Sequence, residues 1–463
     1  MDFRPLAMIV GGAFFMEQLD TTIIAPAIPA MALDLGVEPL RLNLALTVYL
    51  LCLVVFIPIS GAVADRFGTR TVFCRAVACF IASSAICGLA QDIVILTLAR
   101  AVQGASGALM VPVGRMAIVR AAGRGQLVRA LAWMMTPAML GPVLGPPLGG
   151  LIVTYGSWPW IFYINIPVGL LGVWLAARHM PQFHGDGGRG RFDLVGWMLL
   201  AVCLTLCVVA LELVARHGTA ASVVLSSVGG VLAALGYGLH VRRIECPLLD
   251  FSLLDIQTFR ASFINGAVVR VGYGALPFLL PLALQIGLGF SAMESGFALL
   301  MSALTVIVMK TQVAPILRRF GFRRVLLWNG LVCGVALACC ALFQGLMTIS
   351  IVLLIGGFSR SVQFNAITAI GYADIVAERV GAATSLNTTF QQLAAMLGIS
   401  LSVVIIELCA LADGRGVPQA DDFAIALMIM GFIALAGLPW FWHLPADAGE
   451  ELSGYRRSVA RRA

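Results

Sequence analysis

Glu17, Asp20 and Thr21 stand at i, i+3 and i+4, so a helix would carry two carboxylates and a hydroxyl on one face. Carboxylates this close repel when both are ionised, and burial disfavours their charge further. At least one can therefore bind and release a proton near neutral pH. The alternative is a carboxylate locked to an arginine. Arg100, Gln103, Gly104 and Gly107 form a second such face, at i, i+3, i+4 and i+7. Both faces lie inside long apolar runs, as do Arg270 and Arg360. An arginine at membrane depth costs about 2.5–3.5 kcal/mol on insertion scales, so it normally faces a cavity or a partner. Proton exchange beside fixed positive charge is the chemistry on offer. The five histidines (His179, His184, His217, His240, His443) are dispersed and form no H-E-x-x-H. The expectation is therefore no enzyme, no metal and no cofactor, with a proton gradient as the energy source.

The elements that must hold these residues follow from composition. The chain has 463 residues, 60% hydrophobic and 11% charged, where a soluble chain carries about 25% charged residues. That excludes soluble enzymes, nucleic-acid binders and disordered proteins. The apolar runs are continuous and about 20 residues long, enough to cross a bilayer as a helix, and they lack the alternation of a β-barrel. The fold class is an all-α polytopic membrane protein. Fourteen spans are predicted, from residues 6–30 to residues 423–443. With the N-terminus in the cytoplasm, 24 of the 30 basic residues fall on or near that side, among them Arg120, Arg124, Arg129, Arg189, Arg191 and the tail arginines Arg456, Arg457, Arg461 and Arg462. This sorting supports an even count and two cytoplasmic termini, and it leaves no basic domain for nucleic acid. The 11 cysteines read as small core residues.

An internal repeat is visible. Arg66-Phe67-Gly68 follows the second span and Arg319-Phe320-Gly321 the tenth; Arg100-Ala-Val-Gln103 sits in the fourth and Arg360-Ser-Val-Gln363 in the twelfth. The copies divide the chain into a six-span bundle (1–178), an inserted pair (179–260) and a second bundle with a short tail (261–463). Repeats of this kind build secondary transporters, with the site at the repeat interface.

Three motifs carry a resemblance. The turn after the second span reads Gly61-Ala-Val-Ala-Asp65-Arg66-Phe-Gly68-Thr-Arg70; the fifth span reads Pro137-x3-Gly141-Pro142-x2-Gly145-Pro146-Pro147-x-Gly149-Gly150; the first reads Leu19-Asp20-Thr21-Thr22-x3-Pro26-x2-Pro29. Taken alone, these are a charged turn, a small-residue helix interface with proline kinks and a polar patch in a span. Together with Trp158-Pro-Trp160-Ile-Phe-Tyr-Ile-Asn165-Ile-Pro167, Met110-Val-Pro-Val-Gly-Arg115 and Gln285-Ile-Gly-Leu-Gly-Phe290, they resemble the major facilitator superfamily over nearly the whole chain. The likeness is closest to the fourteen-span drug:proton antiporters and their MdtD- and HsrA-like subset.

The resemblance implies two pseudo-symmetric six-helix bundles plus two inserted helices in the cell inner membrane. It also implies a proton-coupled exporter of drugs or of amphipathic and organic-anion compounds. Asp20 carries the proton in this reading, with Glu17 nearby and Arg100 as counter-charge. Gly61, Asp65, Arg66, Gly68 and Arg70 latch the cytoplasmic side, with Arg115 as a partner. Pro137, Gly141, Pro142, Gly145, Pro146 and Gly149 form the antiporter motif. Arg270, Arg360, Gln103, Arg115, Gln363 and Asn265 are the expected substrate contacts, with Lys310 near the cytoplasmic end of the tenth span. The excess of buried positive charge leans toward an anionic or zwitterionic substrate. Expected partners are the bilayer, a small-molecule substrate and protons. The protein is expected to work as a monomer, with or without an accessory envelope protein. Two alternatives stay open: a proton-coupled importer of an organic anion, and a membrane sensor without transport.

Overall fold

The computed structural model describes residues 3–122, 126–184, 193–216, 218–244, 248–309, 311–376, 379–415, 417–445 and 447–453. Arg124, Arg189, Arg191, Lys310 and the four tail arginines lie outside the described residues. The described chain is helical without strands. Fourteen helices are long and apolar enough to cross a membrane. In chain order they are α1 (Arg4–Asp34), α2 (Pro39–Phe67), α3 (Thr69–Gly88), α4 (Ile93–Ala121), α5 (Arg129–Tyr155), α6 (Trp160–His179) and α7 (Leu194–Ala215). The rest are α8 (Ala220–Val241), α9 (Gln257–Gly287), α10 (Ala292–Met309), α11 (Phe322–Leu342), α12 (Leu346–Gly371), α13 (Ala382–Ala412) and α14 (Ala420–His443). The fourteen helices correspond one to one with the predicted spans. An even number of crossings brings the start of α1 and the end of α14 to one face, called here the terminal face.

Local chemistry sets the ends and breaks. Asp92 accepts hydrogen bonds from the backbone N–H groups of Val94 and Ile95, each 2.8 Å, and so caps α4. Pro26 and Pro58 each remove a backbone donor, and a short tight turn interrupts α1 at Ala25–Ala27 and α2 at Ile57–Ile59. The repeat read in the sequence recurs in three dimensions. Gly68 and Gly321 end their helices at φ +85 and +74, a conformation that favours glycine. Arg66 and Arg319 stack on the neighbouring rings of Phe67 and Phe320 at 5.5 and 5.4 Å.

The two six-helix halves meet along two seams, α2 against α13 and α5 against α10. At the face opposite the termini the second seam is shut tight. A Cβ on Gly150 would lie 2.5 Å from the Ala292 carbonyl oxygen, and one on Gly296 would strike the Pro146 carbonyl. The Gln285 amide also donates to the Pro26 carbonyl across the halves at 3.1 Å. The inserted pair stays mostly in lipid, with only 22% and 17% of its most apolar windows buried. Its α7 lies along α2 and α13. The Trp197 indole donates to the Val55 carbonyl at 2.8 Å near one end, and the Asn43 amide donates to Glu212 at 3.2 Å near the other.

Candidate functional site

A cavity of about 820 Å³ lies between α1, α2, α4 and α13. It is lined by segments nearest the terminal face: Gly61 and Pro58 of α2, Arg115 to Arg120 of α4, and Thr384 to Gln392 of α13. With the opposite face closed, the molecule stands open on the side of its termini.

Glu17 lines this cavity beside Gly107, where a Cβ would make ordinary contact, 3.7 Å from the Glu17 carboxyl carbon and 3.6 Å from the Tyr49 hydroxyl. Glu17 is buried, and its Oε2 has no hydrogen-bond partner among the described residues. Arg115 lines the same cavity within electrostatic reach of Glu17, without forming an ion pair to it.

Asp20 faces the other way, into the bundle. Its Oδ2 accepts from Arg100 at 2.5 Å and its Oδ1 from Gln103 at 2.9 Å and Asn165 at 2.8 Å. Ser84 closes the network, accepting from Gln103 at 2.7 Å. Both charged side chains are 0% exposed. The Arg100 guanidinium lies 4.2 Å from the centre of the Tyr49 ring, and that tyrosine's hydroxyl is 3.5 Å from Thr21. Tyr49 thus stands between the closed ion pair and the open carboxylate. Asp20, the expected proton carrier, is held by three donors in this conformation, and Glu17 is the carboxylate on the cavity.

The expected substrate contacts divide in the same way, and only Arg115 lines the cavity. Gln103 is bound to Asp20. Gln363 donates to the Leu326 carbonyl at 3.0 Å and accepts from Asn329 at 3.2 Å. Arg270 donates to Thr368 at 2.9 Å and stacks on Phe364. Arg360 sits beside Tyr273 and Cys333, and Asn265 lines a separate pocket at the ends of α9 and α14. Helical spacing told which residues share a face, but not which face meets the cavity.

The turn after α2 behaves in part as expected. Asp65 is ion-paired at 2.6 Å with Arg120, one turn and a half beyond the expected partner Arg115. Arg66 and Arg70 are exposed. A side chain at Gly68 would strike Gln182, whose amide donates to the Phe67 carbonyl and the Thr71 hydroxyl at 3.3 and 3.0 Å; the segment after α6 therefore covers this turn. In α5 the small-residue stripe fits against α1. Met134 and Pro137 face Gly11, Gly141 faces Gln18 and Leu19, Gly145 faces Thr22, and Gly149 faces Ile23. A Cβ at Gly141 would lie 2.7 Å from Gln18, and Thr22 donates to the Gly141 carbonyl at 3.4 Å. Pro142 is half-buried and Pro146 buried in the contact with α10.

The sequence reading missed the polar wall of α13, where Thr384, Ser385, Thr388, Gln391 and Gln392 line the cavity. Seven polar residues within nine positions, 384–392, of an apolar span were the signal. It also missed Tyr49 and Ser84, single polar residues with no local pattern to mark them.

Two repeated six-helix halves around a largely apolar cavity with a few polar groups, open at one face, define a membrane transporter of the alternating-access kind. The chain belongs to the Major Facilitator Superfamily, whose family model matches residues 10–399 and again 262–456. It is 35% identical over 457 residues to a multidrug resistance protein MdtD of Pectobacterium atrosepticum, covering 97% of each chain. It is 34% identical over 458 residues to an Escherichia coli MdtD, covering 97% of this chain and 96% of that one. Among solved structures it resembles a POT family transporter in complex with 5-aminolevulinic acid, with TM-score 0.70 and 12% identity over 95% of each chain. The human organic anion transporter MFSD10 (TETRAN) aligns at TM-score 0.61 and 15% identity, over 95% of this chain and 100% of that one. At these identities the two solved structures share the fold.

Proposed function

We propose that this protein is a proton-coupled exporter of drugs and related amphipathic small molecules, working by alternating access between its two halves. The observation that carries the reading is the Glu17 carboxylate: it lies on a cavity large enough for a drug-sized ligand, with one oxygen unpartnered and a positive charge nearby. The multidrug resistance names of the MdtD relatives support the same class of substrate. Protonation of Glu17 removes a charge from the cavity and so changes the relative stability of the two access states. Binding of a substrate beside Glu17 favours loss of that proton, which couples the two. Asp20, Arg100, Gln103 and Asn165 act as a fixed buried clasp that holds α1 to α4 and α6. Asp65 with Arg120 restrains the turn after α2, and the α1–α5 stripe is the surface on which α1 tilts.

The rest of the assignment goes with this reading. The halves are residues 1–178 and 261–463, with 179–260 as an inserted pair. The termini lie in the cytoplasm and the protein in the inner membrane. It is a monomer whose partners are lipid, substrate and protons, with no cofactor and no catalytic chemistry. The test is proton release from purified protein on adding a lipophilic cation: release that is abolished in Glu17→Gln supports the reading, and release that survives the change refutes it.

A further inference from the structure

We propose that the pocket between the terminal-face ends of α9 and α14 holds the headgroup of an anionic phospholipid. The pocket measures about 300 Å³ and is separate from the cavity described above, with no residue in common. Its polar groups are Gln257, Arg260, Asn265, His443 and the Trp440 indole; no aspartate or glutamate lines it. Asn265 is only 5% exposed, yet its side-chain amide has no hydrogen-bond partner among the described residues. The amide opens onto the pocket wall, where a ligand's oxygens would complete its hydrogen bonds. Asn265 closes a wide π-helical turn, Ala261–Asn265, one of two in α9, the other being Ala283–Gly287; such turns recur at functional sites. Arg260 is exposed and has no ion-pair or hydrogen-bond partner among the described residues. The Gln257 amide donates to the His443 carbonyl at 3.2 Å, which ties the two helix ends together around the opening.

The depth of the pocket selects lipid over a soluble anion. Trp440 and Trp442 are 55% and 66% exposed at the end of α14, where an indole marks the membrane–water boundary. Arg323 stacks on Trp442 at 5.5 Å and adds positive charge beside the opening. Ile264, 42% exposed, and Leu444 continue the wall on its apolar side, where an acyl chain would lie. A basic pocket between helices at this level is suited to an anionic headgroup.

The full chain is reconstituted in phosphatidylcholine vesicles carrying a minor fraction of acyl-brominated phosphatidylglycerol or, separately, brominated phosphatidylcholine. Quenching of Trp440 is read as the difference between wild type and Trp440→Phe. Enrichment of the anionic lipid at Trp440 by about fivefold is expected, the effect of one cationic residue against an anionic lipid. Arg260→Gln abolishes that preference, and Arg178→Gln, at the same face on α6, leaves it intact. Soluble glycerol phosphate does not relieve the quenching. Equal quenching by the two lipids, a preference that survives Arg260→Gln, or displacement by glycerol phosphate overturns the proposal.

Discussion

Glu17→Gln and Asp20→Asn should separate coupling from architecture. The Glu17 Oε2 has no partner to lose, so the amide keeps the packing and removes only the titrating group. Exchange of one proton for one monovalent cation is electroneutral, and a pH difference of about 1.7 units supplies about 2.3 kcal/mol, enough for a gradient of about fifty-fold. In inverted vesicles with an imposed proton gradient, wild-type protein should accumulate a fluorescent lipophilic cation toward that limit. Glu17→Gln should build no gradient and still catalyse substrate counterflow, because the halves can still rock. Its melting temperature should stay at or slightly above that of wild type. Asp20→Asn is different in kind. Arg100 and Asp20 are both fully buried, and breaking the pair leaves an uncompensated guanidinium. The expected loss is about 3–5 kcal/mol of stability, seen as early melting and low yield before any question of coupling arises. If Glu17→Gln still accumulates the cation in response to the gradient, Glu17 is not the proton site. If Asp20→Asn melts like wild type and has lost only its coupling, the buried pair is no clasp and the roles are reversed.

Gly149→Ala should stop transport while the protein still inserts, because the added methyl strikes the Ile23 carbonyl and blocks the approach of α5 to α1; uptake in inverted vesicles, compared at equal expression, measures it. Asp65→Asn frees Arg120 at the mouth of the cavity, and with the pair 31% and 45% exposed the cost to stability is under about 1 kcal/mol. Its effect should instead be a changed rate of alkylation at a Thr388→Cys reporter from the terminal face. Outside the membrane, burial pushes Asp250 up, but Ser252 and Arg379 outweigh it and hold its carboxyl below the ordinary value. That contribution is present above about pH 4 and fades as pH falls through the lowered value. Arg379→Gln should therefore flatten the acid limb of the melting curve.

The spans were legible because membrane helices satisfy their own backbone and advertise themselves as long apolar runs. The cost of buried charge made Asp20 and Arg100 legible for the same reason, since a residue that expensive must have a partner. Their true company was not legible. Asn165 lies 145 residues from Asp20 and 81 from Ser84, and only the packing of α6 onto α1 and α3 brings them together. The latch shows a smaller version of the same limit. Arg115 and Arg120 differ by five positions, so one faces the cavity and the other meets Asp65 at its mouth, a choice set by where α4 emerges.

The largest revision concerns the charge of the substrate. Counting buried arginines along the chain favours an anion, since Arg270 and Arg360 exceed the acids of the second half. The folded molecule removes both from the reckoning: Arg270 is occupied by Thr368 and Phe364, and neither arginine lines the cavity in this conformation. Where Arg100 of α4 has Asp20 of α1 beside it, Arg360 of α12 has Tyr273 of α9. The second half thus keeps the repeated arginine but not the carboxylate. The cavity wall is mainly apolar, from Phe14, Leu53, Ile57, Val111, Met116 and Val119, and its polar part is one open acid, Glu17, one arginine, Arg115, and the neutral amides and hydroxyls of α13, with Arg120 at the mouth already paired. Such a wall sets no strong sign and offers many donors and acceptors, as a transporter of chemically varied compounds requires. Protonating Glu17 tips its balance to positive, and losing the proton restores it. On the proposed mechanism, the charge that discriminates between substrates is therefore the same charge that titrates.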